Sequence, residues 1–155
     1  MCVPEIVSPS EKIIRGIFTP LYYDEKKNKI KSIAFRAPHG KDEVSVLRLN
    51  YTNATFCKKH CKEKLQNPNN QKNYYGLAVF YASKVFGIGA DFKYTPLDGL
   101  PMHVDIAYGY ISVQGEPFPV ELRIMIDKLI DSVSFYKDEN LNSELWEGAE
   151  LNCVE

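Results

Sequence analysis

Hydrophobic and polar residues alternate along the first third of the chain in a way that predicts β-strands. Residues 13–23 are rich in β-branched and aromatic side chains, and residues 29–36 alternate in polarity. The charged stretch 24–28 between them is typical of a hairpin loop, so we expect two antiparallel strands there. A third strand is predicted over 43–51, where β-forming side chains surround Arg48.

The next periodic segment changes from a strand pattern to a helix pattern. Cys57, Cys61 and Leu65 recur four residues apart, which predicts a helix with a narrow apolar stripe. Asn53 or Thr52 before it is a suitable N-cap. The other faces of this helix carry lysines, at Lys58, Lys59, Lys62 and Lys64.

The second half of the chain repeats the alternation of strands and a helix. Residues 74–82 form a dense apolar run that suits a buried strand, and further strands are predicted over 91–96 and 102–113. A helix is predicted from Pro119 to Val133, because its apolar residues fall on one face. The fold class predicted is α+β: an antiparallel or mixed sheet of about six strands, with this C-terminal amphipathic helix packed on one face and a second short helix.

Length and composition agree with a single intracellular domain. A chain of 155 residues is one ordinary domain, here predicted to span 1–155 with irregular tails at 1–11 and 137–155. No apolar run is long enough to span a membrane, and the first ten residues do not resemble a secretory signal. The four cysteines do not form a disulfide framework, so we expect thiols and a cytoplasmic protein.

Charge is unevenly distributed along the chain although the net charge is only -1. Up to Tyr75 there are 14 basic and 7 acidic side chains, a net +7, and after it 5 basic and 13 acidic, a net -8. The asymmetry favours either a surface that attracts anions or two halves that complement each other in the fold.

His103 and Asp105 are the first candidates for chemistry. Residues two apart on a strand share a face, so this imidazole and this carboxylate are expected to meet one substrate, one metal ion or each other. Such a pair supplies a general base and the group that orients it. The structural alternative is two ordinary polar residues that are solvated or bonded to loops.

Arg36 and His39 form a second candidate, in a segment that ends a predicted strand with a turn. Arg48 on the following strand is predicted to face the same region. Guanidinium and imidazole groups suit a phosphate or carboxylate ligand, so a small anionic ligand is expected if these groups converge. The alternative is a hairpin end with ordinary surface charges.

Cys57, His60 and Cys61 are a weak metal candidate. Their spacing places three zinc-type ligands on one helical turn, but a structural zinc site needs a fourth ligand. Two cysteines on a core-facing stripe also have an ordinary structural explanation, since cysteine is among the most buried residue types. We therefore expect no cofactor, with zinc as the alternative.

Three functions remain open after these observations. The chain lacks a dinucleotide fingerprint, a phosphate-binding loop and a nucleophile elbow, so the first hypothesis is a non-catalytic binding or accessory module of an intracellular macromolecular system, with a protein partner. The alternative is a small enzyme acting on a phosphorylated or nucleotide-like substrate, with His103 and Asp105 assisted by Arg36 and His39. The third hypothesis is nucleic-acid binding through the lysine-rich helix.

Overall fold

The computed structural model describes residues 2–155, which form a six-stranded sheet, a small two-stranded sheet and three α-helices. The strands are β1 (Lys12–Pro20), β2 (Tyr23–Asp24), β3 (Lys29–Ile30), β4 (Glu43–Arg48), β5 (Lys72–Tyr81), β6 (Asp91–Tyr94), β7 (His103–Ala107) and β8 (Ser134–Lys137). The helices are α1 (Ala54–His60), α2 (Ala82–Gly87) and α3 (Val120–Asp131). The predicted α+β class, with about six strands and a C-terminal helix, is confirmed.

The large sheet has the strand order β6-β7-β4-β1-β5-β8, and all its neighbouring strands are antiparallel. The β1–β5 ladder is the longest, running from the Lys12–Tyr81 pair to the Pro20–Lys72 pair. β2 and β3 pair with each other in the separate small sheet, so the loop between them is the tip of a short hairpin.

Helices cover both faces of the large sheet because the strands are apolar on both sides. On one face, the predicted stripe of α3 is buried against side chains such as Ile17, Phe80 and Ile106. On the other face, Cys57 and Cys61 pack on β1 and β5. The sheet is therefore the middle layer of three, and α1 and α3 lie on opposite sides of it.

The predicted strand over 29–36 is wrong beyond Ile30. Residues Ser32–Phe35 form a 3-10 helix, and β3 pairs with β2 instead of forming a hairpin with β1. Ala34 and Phe35 are both fully buried although they are adjacent in sequence. A strand buried on one face buries only alternate residues, whereas the 3-10 turn here directs both side chains into the core.

Helix α2 and strand β8 were not predicted either, and several predicted strands extend beyond their observed ends. Helix α2 forms where the pattern indicated a break, because Ala82 and Val85 are one helical turn apart and both are buried. The last helix ends at Asp131, and β8 follows it as an edge strand. The strands predicted over 43–51, 91–96 and 102–113 end at Arg48, Tyr94 and Ala107.

Helix α1 begins as predicted, with Asn53 as N-cap, whose side chain accepts a hydrogen bond from the Phe56 amide at 2.8 Å. It continues as a π-helical turn over Cys61–Leu65. Among the helices of residues 2–155, none combines the length and the apolar character needed to cross a bilayer.

Candidate functional site

Arg36 lines a small cleft between the Ser32–Phe35 turn and α3. Its guanidinium carbon is 4.6 Å from the centre of the Phe118 ring, and that of Arg123 is 5.8 Å from the same ring. Arg36 also donates a long hydrogen bond of 3.4 Å to the Ser32 hydroxyl. The cleft holds about 80 Å³, and it is lined by Ser32, Arg36, Phe118, Arg123, Ile126 and Asp127. We call this the Arg36 cleft.

The electrostatics of the Arg36 cleft favour an anion. Among residues 2–155, no ion pair within 4.0 Å includes Arg36 or Arg123, although Asp127 is also part of the lining. Arg123 belongs to the first turn of α3, where the helix dipole is positive. Two guanidinium groups beside one aromatic ring therefore face a space without a carboxylate bonded to them.

Arg48 does not join Arg36 in this cleft. Its side chain is fully buried, and it donates two hydrogen bonds to the Glu11 carboxylate, at 2.7 and 2.9 Å. It also donates to the carbonyl oxygens of Pro4 and Ile6. Every hydrogen bond of this guanidinium thus fastens the N-terminal segment to the sheet, and its carbon lies 4.9 Å from the centre of the Tyr51 ring, so it is not open to a ligand.

His39 and His103 lie in separate environments. His39 lies in the loop that precedes β4, and its Nδ1 atom is 2.9 Å from the Ser112 hydroxyl. His103 is opposite Leu47, at the far end of the β4–β7 ladder. The two imidazoles therefore have different hydrogen-bond partners, Ser112 for His39 and Thr95 for His103.

His103 and Asp105 share a face of β7, as predicted for residues two apart on a strand, but they are bonded to different groups. The His103 Nδ1 atom is 2.7 Å from the Thr95 carbonyl oxygen, which only accepts, so Nδ1 donates this hydrogen bond. Asp105 accepts a 3.3 Å hydrogen bond from the Ser45 hydroxyl. The carboxylate therefore does not orient the imidazole, and the pair lacks the contact that a general base and its partner make.

The candidate metal ligands Cys57, His60 and Cys61 lie on α1 and the π-helical turn that continues it. Burial shifts the pKa values of all three side chains. Burial raises the pKa of the Cys57 and Cys61 thiols, that of Cys61 to about 12, so both remain neutral thiols at physiological pH. Burial lowers the pKa of His60, and the neighbouring His103 and Lys64 lower it further. In the part of the chain that the structure describes, no group of three or more His, Cys, Asp or Glu side chains is placed to hold a metal ion.

The lysine-rich helix is engaged largely by the chain itself. Lys58 is fully buried, forms a 2.9 Å ion pair with Asp138 and donates to two carbonyl groups of the C-terminal tail. Lys62 donates to the carbonyl of Leu141, and Lys59 lies 3.9 Å from Glu63. The acidic second half thus covers part of the basic first half, as expected if the two halves complement each other.

A second, wider cleft of about 460 Å³ lies between α2 and α3. Lys84 and Lys128 line it together with Asp131. Both helices end beside it, and helix C-termini attract cations, so these lysines have a structural reason to be there. The wide cleft serves below as a control.

Sequence reasoning missed two members of the Arg36 cleft, Phe118 and Arg123. Arg123 lies in the first turn of α3, and Phe118 lies directly before Pro119, the N-cap of that helix. The contact with Arg36 joins segments distant in sequence, and no local pattern signals it. Comparisons with protein families, with curated proteins and with solved structures found no match to this chain.

Proposed function

We propose that the chain is a non-catalytic binding module that takes an anionic group of a protein partner into the Arg36 cleft. The observation that carries the proposal is the pair of guanidinium groups at Phe118, neither of them ion-paired within residues 2–155. Guanidinium groups recognise carboxylates and phosphates through paired hydrogen bonds, and the aromatic ring restricts their orientation.

The side chains that line this cleft do not form a catalytic pair. Among the described residues that line it there is no histidine or cysteine, and the carboxylate of Asp127 makes no hydrogen bond to the Ser32 hydroxyl. The small-enzyme alternative would need His39 and His103 at one substrate and Asp105 beside the imidazole, whereas these three side chains are hydrogen-bonded to Ser112, Thr95 and Ser45 respectively. Binding is therefore better supported than turnover.

The cellular compartment of this module is proposed from the state of its cysteines. All four cysteines, Cys2, Cys57, Cys61 and Cys153, are free. Free thiols in this number are typical of a reducing compartment, so we place the module in the cytoplasm, as an accessory component of a larger assembly.

The proposal is tested by NMR titration of the full chain, with O-phosphoserine and a short oligoglutamate peptide as probes. We expect both to shift the side-chain Nε–H signals of Arg36 and Arg123. Each substitution, Arg36→Gln and Arg123→Gln, should weaken binding about tenfold, because a hydrogen bond to a charged group contributes about 1.5 kcal/mol.

The matched controls are the single variants Lys84→Gln and Lys128→Gln in the wide cleft, each of which also removes one positive charge. They should leave the affinity for both probes unchanged. Equal weakening in the arginine and lysine variants, or the lack of any shift at Arg36 and Arg123, would reject the Arg36 cleft as the binding site.

A further inference from the structure

Exposed positive charge collects at one end of the large sheet. The β2–β3 hairpin carries four exposed lysines, and two more lysines lie where β5 begins and β8 ends. We call this surface the basic end, and its members are Lys26, Lys27, Lys29, Lys31, Lys72 and Lys137.

One backbone hydrogen bond and several contacts with aromatic rings bring the members of the basic end together. The Leu21 amide donates to the Gln71 carbonyl at 3.0 Å, which joins the base of the hairpin to the start of β5. The Tyr23 ring packs on Tyr75 and Phe135, at centroid distances of 5.0 and 4.7 Å. Lys137 lies 5.4 Å from the centre of the Tyr75 ring, so the end of β8 reaches the same place.

The hairpin holds two acids, and both are engaged by uncharged donors. Asp24 accepts hydrogen bonds from the backbone amides of Lys26 and Lys27, at 3.0 and 3.1 Å. Glu25 accepts one from the Thr19 hydroxyl at 3.1 Å. Among residues 2–155, no carboxylate forms an ion pair with any of the six lysines of the basic end. Their charge is therefore available to an external polyanion.

Aromatic and amide side chains lie among these lysines. Lys72 is 5.5 Å from the centre of the half-buried Tyr22 ring, and the Tyr75 ring is half-buried as well. The loop before β5 exposes three amides, those of Asn69, Asn70 and Gln71. Lysines for phosphates, with rings and amides for bases, are the groups that single-stranded nucleic acids require.

A lipid surface fits this end less well. The hairpin tip, residues 25–28, is Glu-Lys-Lys-Asn and fully exposed, so no apolar side chain at the tip would enter a bilayer.

We propose that the basic end binds single-stranded nucleic acid, with the lysines on the phosphates and Tyr22 and Tyr75 beside the bases. The basic end shares no residue with the lining of the Arg36 cleft, and the proposal goes beyond the function proposed above.

The test measures fluorescence anisotropy of labelled oligouridine and oligothymidine with the full chain across a salt series. Affinity should fall steeply as salt rises, because lysines release counterions from the phosphates they neutralise. The double variant Lys26→Glu, Lys27→Glu should reduce affinity at least about tenfold and lower the slope of log K against log salt by about 1.4, since each phosphate contact with a single strand contributes about 0.7.

The matched control, Lys84→Glu with Lys128→Glu, makes the same change in net charge at the wide cleft and should keep both affinity and salt slope. Arg36→Gln with Arg123→Gln should also retain oligonucleotide binding, which separates this result from the fate of the Arg36 cleft. Circular dichroism and thermal unfolding check that each variant is folded. The hairpin variant should fold like the wild type, because Lys26 and Lys27 are both exposed.

Three outcomes would overturn the proposal. They are no binding of either oligonucleotide at low salt, equal loss in the hairpin and control variants, or binding to vesicles of phosphatidylserine and phosphatidylcholine that exceeds binding to oligonucleotides. The last result would assign the basic end to an anionic membrane.

Discussion

Gly16 illustrates how a single missing side chain sets the spacing between α1 and the sheet. A Cβ added at Gly16 would lie far inside van der Waals contact of the Cys61 sulfur, and 3.3 Å from the Phe18 ring. Cys61 is itself almost fully buried, so it has no free direction in which to move. The close approach of helix and strand therefore depends on glycine at this position.

We expect Gly16→Ala to lower the free energy of unfolding by about 1–3 kcal/mol, the usual cost of overpacking a core. Urea unfolding followed by circular dichroism measures it. The double variant Gly16→Ala, Cys61→Ala should recover part of the loss, because it removes the sulfur that the new methyl group meets. Equal stability of Gly16→Ala and the wild type would contradict this explanation.

Contacts between elements explain why the C-terminal tail has a defined path without a helix or strand. The Asp138 carboxylate accepts from Lys58 at 2.9 Å and from the Tyr74 hydroxyl at 2.9 Å. The Lys58 ammonium also donates to the carbonyls of Asn140 and Leu145, at 2.8 and 3.0 Å. Helix α1, strand β5 and the tail are thus joined at one buried ion pair.

Replacing Lys58 by methionine should destabilise the fold by about 3–5 kcal/mol, because Asp138 would remain buried without its partner. Its neighbour on the same helix is a matched control, since the Lys59 side chain is 68% exposed and Lys59→Met should change stability by no more than about 0.5 kcal/mol. Thermal and urea unfolding compare the two variants, and similar values would show that the Lys58 ion pair has no net role.

At the scale of elements, the parts that sequence predicted are those governed by local patterns. The stripe of α3 and the cap at Asn53 follow from residues close in sequence. The failed strand at 29–36 and the unpredicted β8 depend on tertiary partners instead. In the site, Arg36 was a predicted anion ligand, while its neighbours Phe118 and Arg123 come from a segment far along the chain.

For the molecule as a whole, two buried ion pairs hold both ends of the chain to the sheet. Arg48 with Glu11 fixes the N-terminal segment, and Lys58 with Asp138 fixes the C-terminal tail. Burial alone would raise the pKa of each carboxyl group, but the hydrogen bonds and positive charge of its partner hold that pKa below its ordinary value. The fold is therefore linked to the ionisation of these two acids.

The free energy of unfolding should consequently fall as the protein is acidified below about pH 4. The unfolded chain takes up protons on these groups at their ordinary pKa values, about 4.3 for Glu and about 3.9 for Asp, before the folded chain does. Their stabilisation is complete above those values and is lost as the pH falls through the lowered folded-state pKa. A separate decrease should begin near about pH 6.5 from His60, because burial favours its neutral form in the folded state.

Urea unfolding at a series of pH values measures both decreases. Glu11→Gln should reduce the fall in the free energy of unfolding below about pH 4. His60→Gln should remove the fall near neutrality. Neither glutamine side chain titrates. Glu139→Gln, at an exposed position beside Asp138, should leave the whole curve unchanged. A stability that stays constant from neutrality to about pH 3 would contradict the linkage, because both acids are protonated well within that range in the unfolded chain.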